Sequence, residues 1–358
     1  MQPEVLILGA GPVGCALALL LRCAGRSVAL CDSRERRPGE PLPRPIALSY
    51  ASRLILERAG AWSRLAATRI ETVHVSQRAG FGTTRLSAAD AGVPALGYVL
   101  DYRALVDALA DAVRSAGLGV AAPADPALHA NAALLVHAEG SGEYATDKRY
   151  DQSAVVGVVD ADPPASATAF ERFTPHGPLA LLPLDGAYGM IWAMQPERAG
   201  ALAGMPQAPF LEALQDASGT RAGRFSSVRG RSVAPLALRV RARRASVREV
   251  YVGNSAQTLH PVAGQGLNLG LRDAWDLASS IGDATDPGAG VILGRYVALR
   301  RFDALATIRF TDLLAGVFTG SNPVARTLRG VALAALDACV PARRFFARRM
   351  IFGPSAMP

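Results

Sequence analysis

Residues Val5 to Asp32 read VLILGAGPVGCALALLLRCAGRSVALCD, and the fold turns on this stretch. Val5 to Leu8 is a short apolar run of the kind buried on both faces in a central parallel strand. Gly9, Gly11 and Gly14 follow as G-x-G-x-x-G. In that spacing the first glycine allows the tight turn and the second lets backbone approach a pyrophosphate. The third lets a helix pack closely on its strand. The helix expected from about Pro12 to Ala24 aims its first amides, and the positive end of its dipole, at the phosphates. Gly25 ends it, and Ser27 to Cys31 reads as a second strand. Asp32, with Ser33 beside it, closes that strand with a carboxylate able to accept hydrogen bonds from a ribose diol. This order predicts a dinucleotide-binding βαβ unit, without choosing between FAD and NAD.

A second stretch makes the choice. From Tyr251 the chain reads YVGNSAQTLHPVAGQGLNLGLRDAWDLA. Val250 to Gly253 is expected as a strand, with Asn254 at its carboxyl end. Gly264, Gly266 and Leu267 then offer bare backbone N–H groups ahead of a helix expected from about Leu267 to Ser280. That helix adds a second positive dipole end. One phosphate-cradling helix start suffices for NAD, whereas two suit the longer FAD, pyrophosphate on the first and isoalloxazine on the second. A helix N-terminus facing the anionic edge of reduced flavin stabilises it.

The same segment resembles the second FAD fingerprint of the group A flavoprotein monooxygenases, and among them the ubiquinone-biosynthesis hydroxylases. The family pattern G-D-A-A-H-x-x-x-P-x-x-G-Q-G appears here with Asn254 for the aspartate and Gln257 for the histidine. RPIALSYASRLILERAGAW (Arg44 to Trp62), TAFERFTPHGPLALLPL (Thr168 to Leu184), YDQSAVVGVV (Tyr150 to Val159), APLALRV (Ala234 to Val240) and RYVALRRFDALATIRFTDLLAGVF match further family segments. The resemblance implies an FAD-dependent hydroxylase in which a flavin C4a-hydroperoxide delivers one oxygen atom of O2 to a polyprenylated phenol, with NAD(P)H as a candidate electron donor. It implies that Gly9, Gly11, Pro12, Gly14, Asp32 and Ser33 hold the ADP half of FAD. Arg44, Asn254, Pro261, Gly264, Gly266, Leu267 and Asn268 would hold or face the flavin half. His260 and Gln257 are the candidates for catalysis at the flavin, with loop fixing as the alternative role for His260, and Asp273 is expected to orient helix and loop. A different aromatic or isoprenoid substrate, or a non-catalytic FAD-binding scaffold subunit, are the competing readings.

The chain departs from the family between Arg103 and Leu135, where a three-stranded excursion is missing. Glu139-Gly140 stands where the middle motif has Asp-Gly, with neither its serine nor its arginine at the proper offset. This bears on the electron donor. The parallel sheet is expected to close without the excursion.

The 358 residues suit two domains or one elaborated α/β domain. The expected fold is a Rossmann-like FAD-binding domain with a parallel sheet, interrupted by a smaller, mostly antiparallel substrate domain and followed by a helical C-terminus. The expected FAD-binding pieces are 1–70, 92–150 and 235–292, and the substrate pieces are 71–91 and 151–234. The C-terminal segment is 293–358.

Net charge is +8, almost wholly from arginine, since Lys148 is the only lysine. That balance suits nucleic acid or an anionic membrane surface. No helix-turn-helix, zinc finger or aromatic RNA-binding signature is present, so nucleic acid is not an expected partner. Arg343, Arg344, Arg348 and Arg349 flank Phe345, Phe346, Met350 and Ile351. They predict either a packed C-terminal helix or a basic, apolar patch for a membrane surface or a partner in a biosynthetic complex. Cys15, Cys23, Cys31 and Cys339 form no C-x-x-C pair, and read as fillers in a reducing cytoplasm, with neither metal nor disulfide. The run from Val5 to Leu21 is broken by glycines and Pro12, and is not expected to span a membrane.

Overall fold

A computed structural model of the protein describes residues 3–32, 42–78, 80–121, 132–140, 144–259, 264–318 and 323–353. The opening βαβ unit forms as its glycine spacing requires: β1 (Val5–Leu8), α1 (Pro12–Cys23) and β2 (Val28–Cys31). Then come β3 (Pro45–Ser49), α2 (Tyr50–Arg58), β4 (Thr68–Ile70), β5 (Thr72–Gln77), β6 (Thr83–Ser87), α3 (Ala88–Ala91), β7 (Gly97–Asp101) and α4 (Tyr102–Ser115). The middle of the chain supplies β8 (Val120–Ala121), β9 (Leu134–His137), β10 (Thr146–Asp162), β11 (Thr168–Thr174), β12 (Gly177–Leu184), β13 (Ala187–Met194), α5 (Pro196–Gly204), α6 (Gln207–Ser218) and β14 (Arg224–Val240). After it come β15 (Ala245–Ser246), β16 (Glu249–Tyr251), β17 (Gln257–Thr258) and α7 (Gln265–Ile281). The helical end is α8 (Gly290–Phe318), α9 (Pro323–Ala338) and α10 (Val340–Phe352).

One sheet runs β15-β16-β9-β1-β2-β8, parallel throughout except for the β15–β16 pair. The sheet has β8 as an edge strand beside β2, and β9 between β16 and β1. Leu17 and Leu21 of α1, Ile55 and Leu56 of α2, and Leu271 and Leu277 of α7 are fully buried in the core around it. The second sheet runs β17-β14-β10-β13-β12-β11-β5-β6 and is antiparallel except where β11 meets β5. It has eight strands against six. Its β10 and β14 each run 17 residues, and positions 151 and 234 fall within them. A third sheet, β3-β7-β4, lies between them. Cys15 and Cys31 are buried fillers as expected, whereas Cys23 and Cys339 are exposed. Among the described residues no helix is long and apolar enough to cross a membrane.

Candidate active site

The first cradle is built by exclusion of side chains. Gly9 has φ +106°, and a Cβ there would lie 2.6 Å from the backbone of Ala138 and Glu139 on β9's exit. A Cβ on Gly14 would come within 1.9 Å of the Gly9 carbonyl oxygen. Pro12 opens α1 behind Gly11, and no side chain caps that N-terminus. Its first amides are thus left to a ligand. Asp32 stands across the turn, its Oδ2 accepting from the Ala10 N–H at 3.1 Å. Gly140, from the altered middle motif, is fixed from far away in sequence: its N–H donates to Ser255 Oγ at 2.9 Å. Beside it, burial would raise the Glu139 carboxyl, but His137 and backbone N–H groups outweigh burial and hold it low.

The second cradle differs in detail from the expected one. β16 ends at Tyr251, and Gly253–Ser255 forms a single 3-10 turn that leaves Asn254 exposed. α7 begins at Gln265, two residues earlier than expected, behind Gly264 at φ +59°, again with no capping side chain. A Cβ on Gly266 would meet nothing within 4 Å, so the helix start is open there. Leu267 packs against the main core. Asn268 is buried, and its amide is occupied by protein. Nδ2 donates to the Ala47 carbonyl at 3.0 Å and to that of Gly264 at 2.8 Å. Oδ1 accepts from Ser49 N–H at 2.8 Å and Ser52 Oγ at 2.7 Å. Asn268 therefore ties β3 and α2 to the start of α7 and shapes the cradle from behind.

The elements of the second cradle reach Val13, in the first turn of α1. A Cβ on Gly253 would lie 3.1 Å from Val13 Cγ2, and one on Gly270 only 2.8 Å from it. The Gly253–Ser255 turn and the second turn of α7 thus pack directly on the first helix start. Arg44 enters β3 exposed; its N–H donates to Asp101 Oδ2 at 2.8 Å and its guanidinium lies 4.6 Å from the centre of the Tyr102 ring. Ser33, His260 and Pro261 lie outside the described residues.

Behind the second cradle is a buried ionic network. Asp273, fully buried, accepts at Oδ2 from the Gly253 N–H at 3.0 Å and from Gln257 Nε2 at 2.8 Å. Its Oδ1 accepts from Arg300 Nε at 2.6 Å. Arg300 also reaches Asp276 at 2.8 Å and Asp303 at 2.6 Å, and Arg272 binds Asp303 at 2.8 Å. Burial would lift the Asp303 carboxyl, but Arg272 and Arg300 hold it below the usual range. Asp276 is raised by burial, which Arg300 only partly offsets. Gln257 Oε1 meanwhile accepts from Arg244. Both ends of the Gln257 amide are therefore occupied inside the network. That arrangement positions the Gly253–Asn254 turn.

The wall opposite the cradles is the antiparallel sheet. Its outer face, with Val155, Leu181, Met190 and Trp192, is sealed beneath Leu202 of α5 and Phe210 and Leu214 of α6. The other face meets β3: a Cβ on Gly189 would lie 2.3 Å from Pro45 Cβ. Beyond that contact the face carries half-buried Val156, Ile191, Ala180 and Val75, and among them Glu171, which the sequence reading did not single out. Its position emerges only from strand register.

Two uncapped helix starts on elements that pack together at Val13, with an acid at the end of β2, fit an extended flavin dinucleotide. The class that this fold and these cradles define is the FAD-dependent monooxygenases. The chain matches the FAD binding domain family over residues 2–122 and 143–311 and belongs to it. It is 30% identical to uncharacterized protein slr1300 of Synechocystis sp., across 98% of this chain and 93% of that one. It is 29% identical to Ubiquinone hydroxylase UbiL of Rhodospirillum rubrum, covering 96% and 88%. For 3-demethoxyubiquinol 3-hydroxylase of Escherichia coli the identity is 28%, over 94% and 95%. The crystal structure of p-nitrophenol 4-monooxygenase PnpA from Pseudomonas putida DLL-E4 shares the fold with a TM-score of 0.77 at 17% identity, over 98% of both chains.

Proposed function

We propose that this chain hydroxylates the ring of a polyprenylated phenol in ubiquinone biosynthesis, using FAD and O2, with NAD(P)H as electron donor. The observation that carries the reading is the pair of uncapped helix starts, α1 and α7, tied together where Gly253 and Gly270 pack on Val13 and faced by a half-buried apolar sheet wall. The named relatives that align along nearly the whole chain, UbiL and 3-demethoxyubiquinol 3-hydroxylase, support the substrate class. Bound FAD supplies the redox chemistry that activates O2.

The chain's residues bind, orient and exclude water. Gly9, Gly11, Pro12 and Gly14 present the α1 amides to the pyrophosphate, and Asp32, with Ser33, takes the ribose. Gly264, Gly266 and Leu267 present the α7 amides to the flavin ring, with Asn254, Arg44 and Pro261 along its edge. Asn268 and Gln257 hold that cradle in shape, and His260 is assigned either proton transfer at the flavin or loop fixing. Val156, Ala180 and Ile191 offer an apolar wall to the substrate ring and chain.

The lipophilic substrate calls for a way out of the membrane. α9 exposes Val324, Leu328, Val331 and Ala335, spaced along one face, and α10 adds exposed Arg344, Phe345 and Arg348. This apolar and basic surface suits the anionic inner face of a membrane, from which the enzyme would work as a peripheral cytoplasmic protein.

The test is turnover. Purified protein should be yellow, and should consume O2 and NADH or NADPH in step with one oxygen added to a farnesylated phenol, read by mass. A yellow protein that leaves the phenol unchanged with either donor would overturn the hydroxylase reading.

A further inference from the structure

Cross-strand register puts Glu171 inside the cleft. Val75, Glu171, Ala180, Ile191 and Val156 pair in succession across β5, β11, β12, β13 and β10. Residues paired in this way project to one face. That face is the one Pro45 meets at Gly189, because Gly189 precedes Ile191 by one full alternation on β13. From Gly189 to Glu171 is two strands across and two residues along, about 12 Å between Cα atoms. β3 in turn carries Ala47, which touches Gly264 at the start of α7. Glu171 thus lies on the wall beside the strand that bears the flavin cradle.

The surroundings of Glu171 are those of a pocket. Its four neighbours in the row are apolar and half-buried, and two of them, Val156 and Ile191, pack at one side on Ala154, Ala193 and Leu236. Glu171 itself keeps some accessible surface although protein crowds it on every side, as a group at the bottom of a hollow does. Charged groups nearby are turned elsewhere. Arg172 projects to the opposite face, its Nε donating to the Ala217 carbonyl at 2.9 Å, and Arg221 contacts His74 there at 2.9 Å. On the Glu171 face, Arg329 of α9 lies 5.9 Å from the Phe173 ring centre. Among the described residues Glu171 has no hydrogen-bond or ion-pair partner.

We propose that Glu171 is the specificity-determining residue of the cleft, reading the hydroxyl of a phenolic substrate by accepting its hydrogen bond within an otherwise apolar pocket. The inference rests on the reading of the cleft as that of a phenol hydroxylase. A carboxyl without a partner among the described residues is costly in such a place unless a further group such as a ligand completes it. Burial pushes the group up to about 8, nearer to a phenol's ordinary value of about 10 than a solvent-exposed glutamate lies. Closer matching favours a strong hydrogen bond between the two oxygens. An ether or a bare ring would leave the carboxyl unsatisfied, and that difference is the source of discrimination.

The experiment measures binding by calorimetry on the full-length, FAD-loaded protein. The probes are two pairs: a farnesylated phenol with its O-methyl ether, and phenol with anisole. Wild type should prefer the hydroxyl compound of a pair by at least about tenfold. Glu171→Leu should erase that preference, and Glu171→Gln, which still accepts a hydrogen bond, should keep part of it. Flavin content and circular dichroism report folding of both variants. Preference retained in Glu171→Leu, or absent from wild type in both pairs, would overturn the proposal. Failure of the wider reading looks different: the farnesylated pair would not bind, while phenol and anisole would still show the preference and its loss.

Discussion

A single carboxyl can set the pH dependence of the whole fold, and Glu171 is placed to do so. Its folded value is about 8 against an ordinary 4.5, because burial disfavours the charge. Below the ordinary value both states hold the proton, and the group costs nothing. Between about pH 5 and 8 the unfolded chain releases a proton that the folded one retains, so stability falls as pH rises, and levels off above 8. The ceiling is roughly 5 kcal/mol in a dry pocket, and water in the hollow lowers it. Urea midpoints of wild type should therefore drop across this window relative to Glu171→Gln. Parallel pH curves for the two proteins would show that the carboxyl is solvated and paired in a way the structure does not contain. Glu171 was illegible in sequence because nothing in Thr168 to Thr174 marks which face meets β3. The glycines were legible, since Gly9 and Gly14 are dictated by backbone contacts that follow from spacing alone.

At the level of elements, helix starts were easier to read than helix surfaces. The starts of α1 and α7 are announced by glycine clusters with no capping residue, and both fall within two residues of expectation. Gly253 was read as the last residue of a strand, yet it opens the turn at Gly253–Ser255, where Asp273, an acid twenty positions away, accepts from its N–H. The C-terminal helices divide the two roles expected of one segment. Ile351 and Phe352 of α10 are core, whereas Phe345 is 74% exposed and the apolar stripe lies on α9, with Leu328 64% and Val331 52% exposed. Those residues sit on the face opposite buried Arg329. If this surface meets an anionic bilayer, reversing Arg344 and Arg348 to glutamate should weaken binding to phosphatidylglycerol vesicles by at least about tenfold, at about 1 kcal/mol per charge near the surface. Leu328→Asp should weaken it on neutral vesicles too, where charge contributes little. Sedimentation with vesicles reads both; binding indifferent to all three changes would assign the patch to a protein partner or to none.

Across the whole molecule, β3 joins the cofactor and substrate layers, and the family segment that contains it does not declare this contact. The alternation of parallel and antiparallel segments was visible in the sequence, as were the two motifs that converge. What was hidden is the wedge between them. Pro45 fits against Gly189 so closely that a Cβ there would fall 2.3 Å from Pro45 Cβ and 2.8 Å from its Cγ. Four residues on, Ser49 donates its N–H to Asn268, which also binds Gly264. A side chain at Gly189 must therefore displace β3, and the displacement is passed to the start of α7 through Asn268. Overpacking of this kind costs about 1–3 kcal/mol. Gly189→Val should accordingly lower stability by that amount and weaken FAD binding by about tenfold, although position 189 lies in the substrate layer and outside both cradles. Gly200→Ala on α5, where a Cβ meets nothing within 4 Å, serves as the control and should leave FAD affinity unchanged. Flavin fluorescence titration of the apoprotein measures both. A Gly189→Val protein that is less stable yet binds FAD as tightly as wild type would confine the wedge to packing and remove β3 as the coupling between the layers.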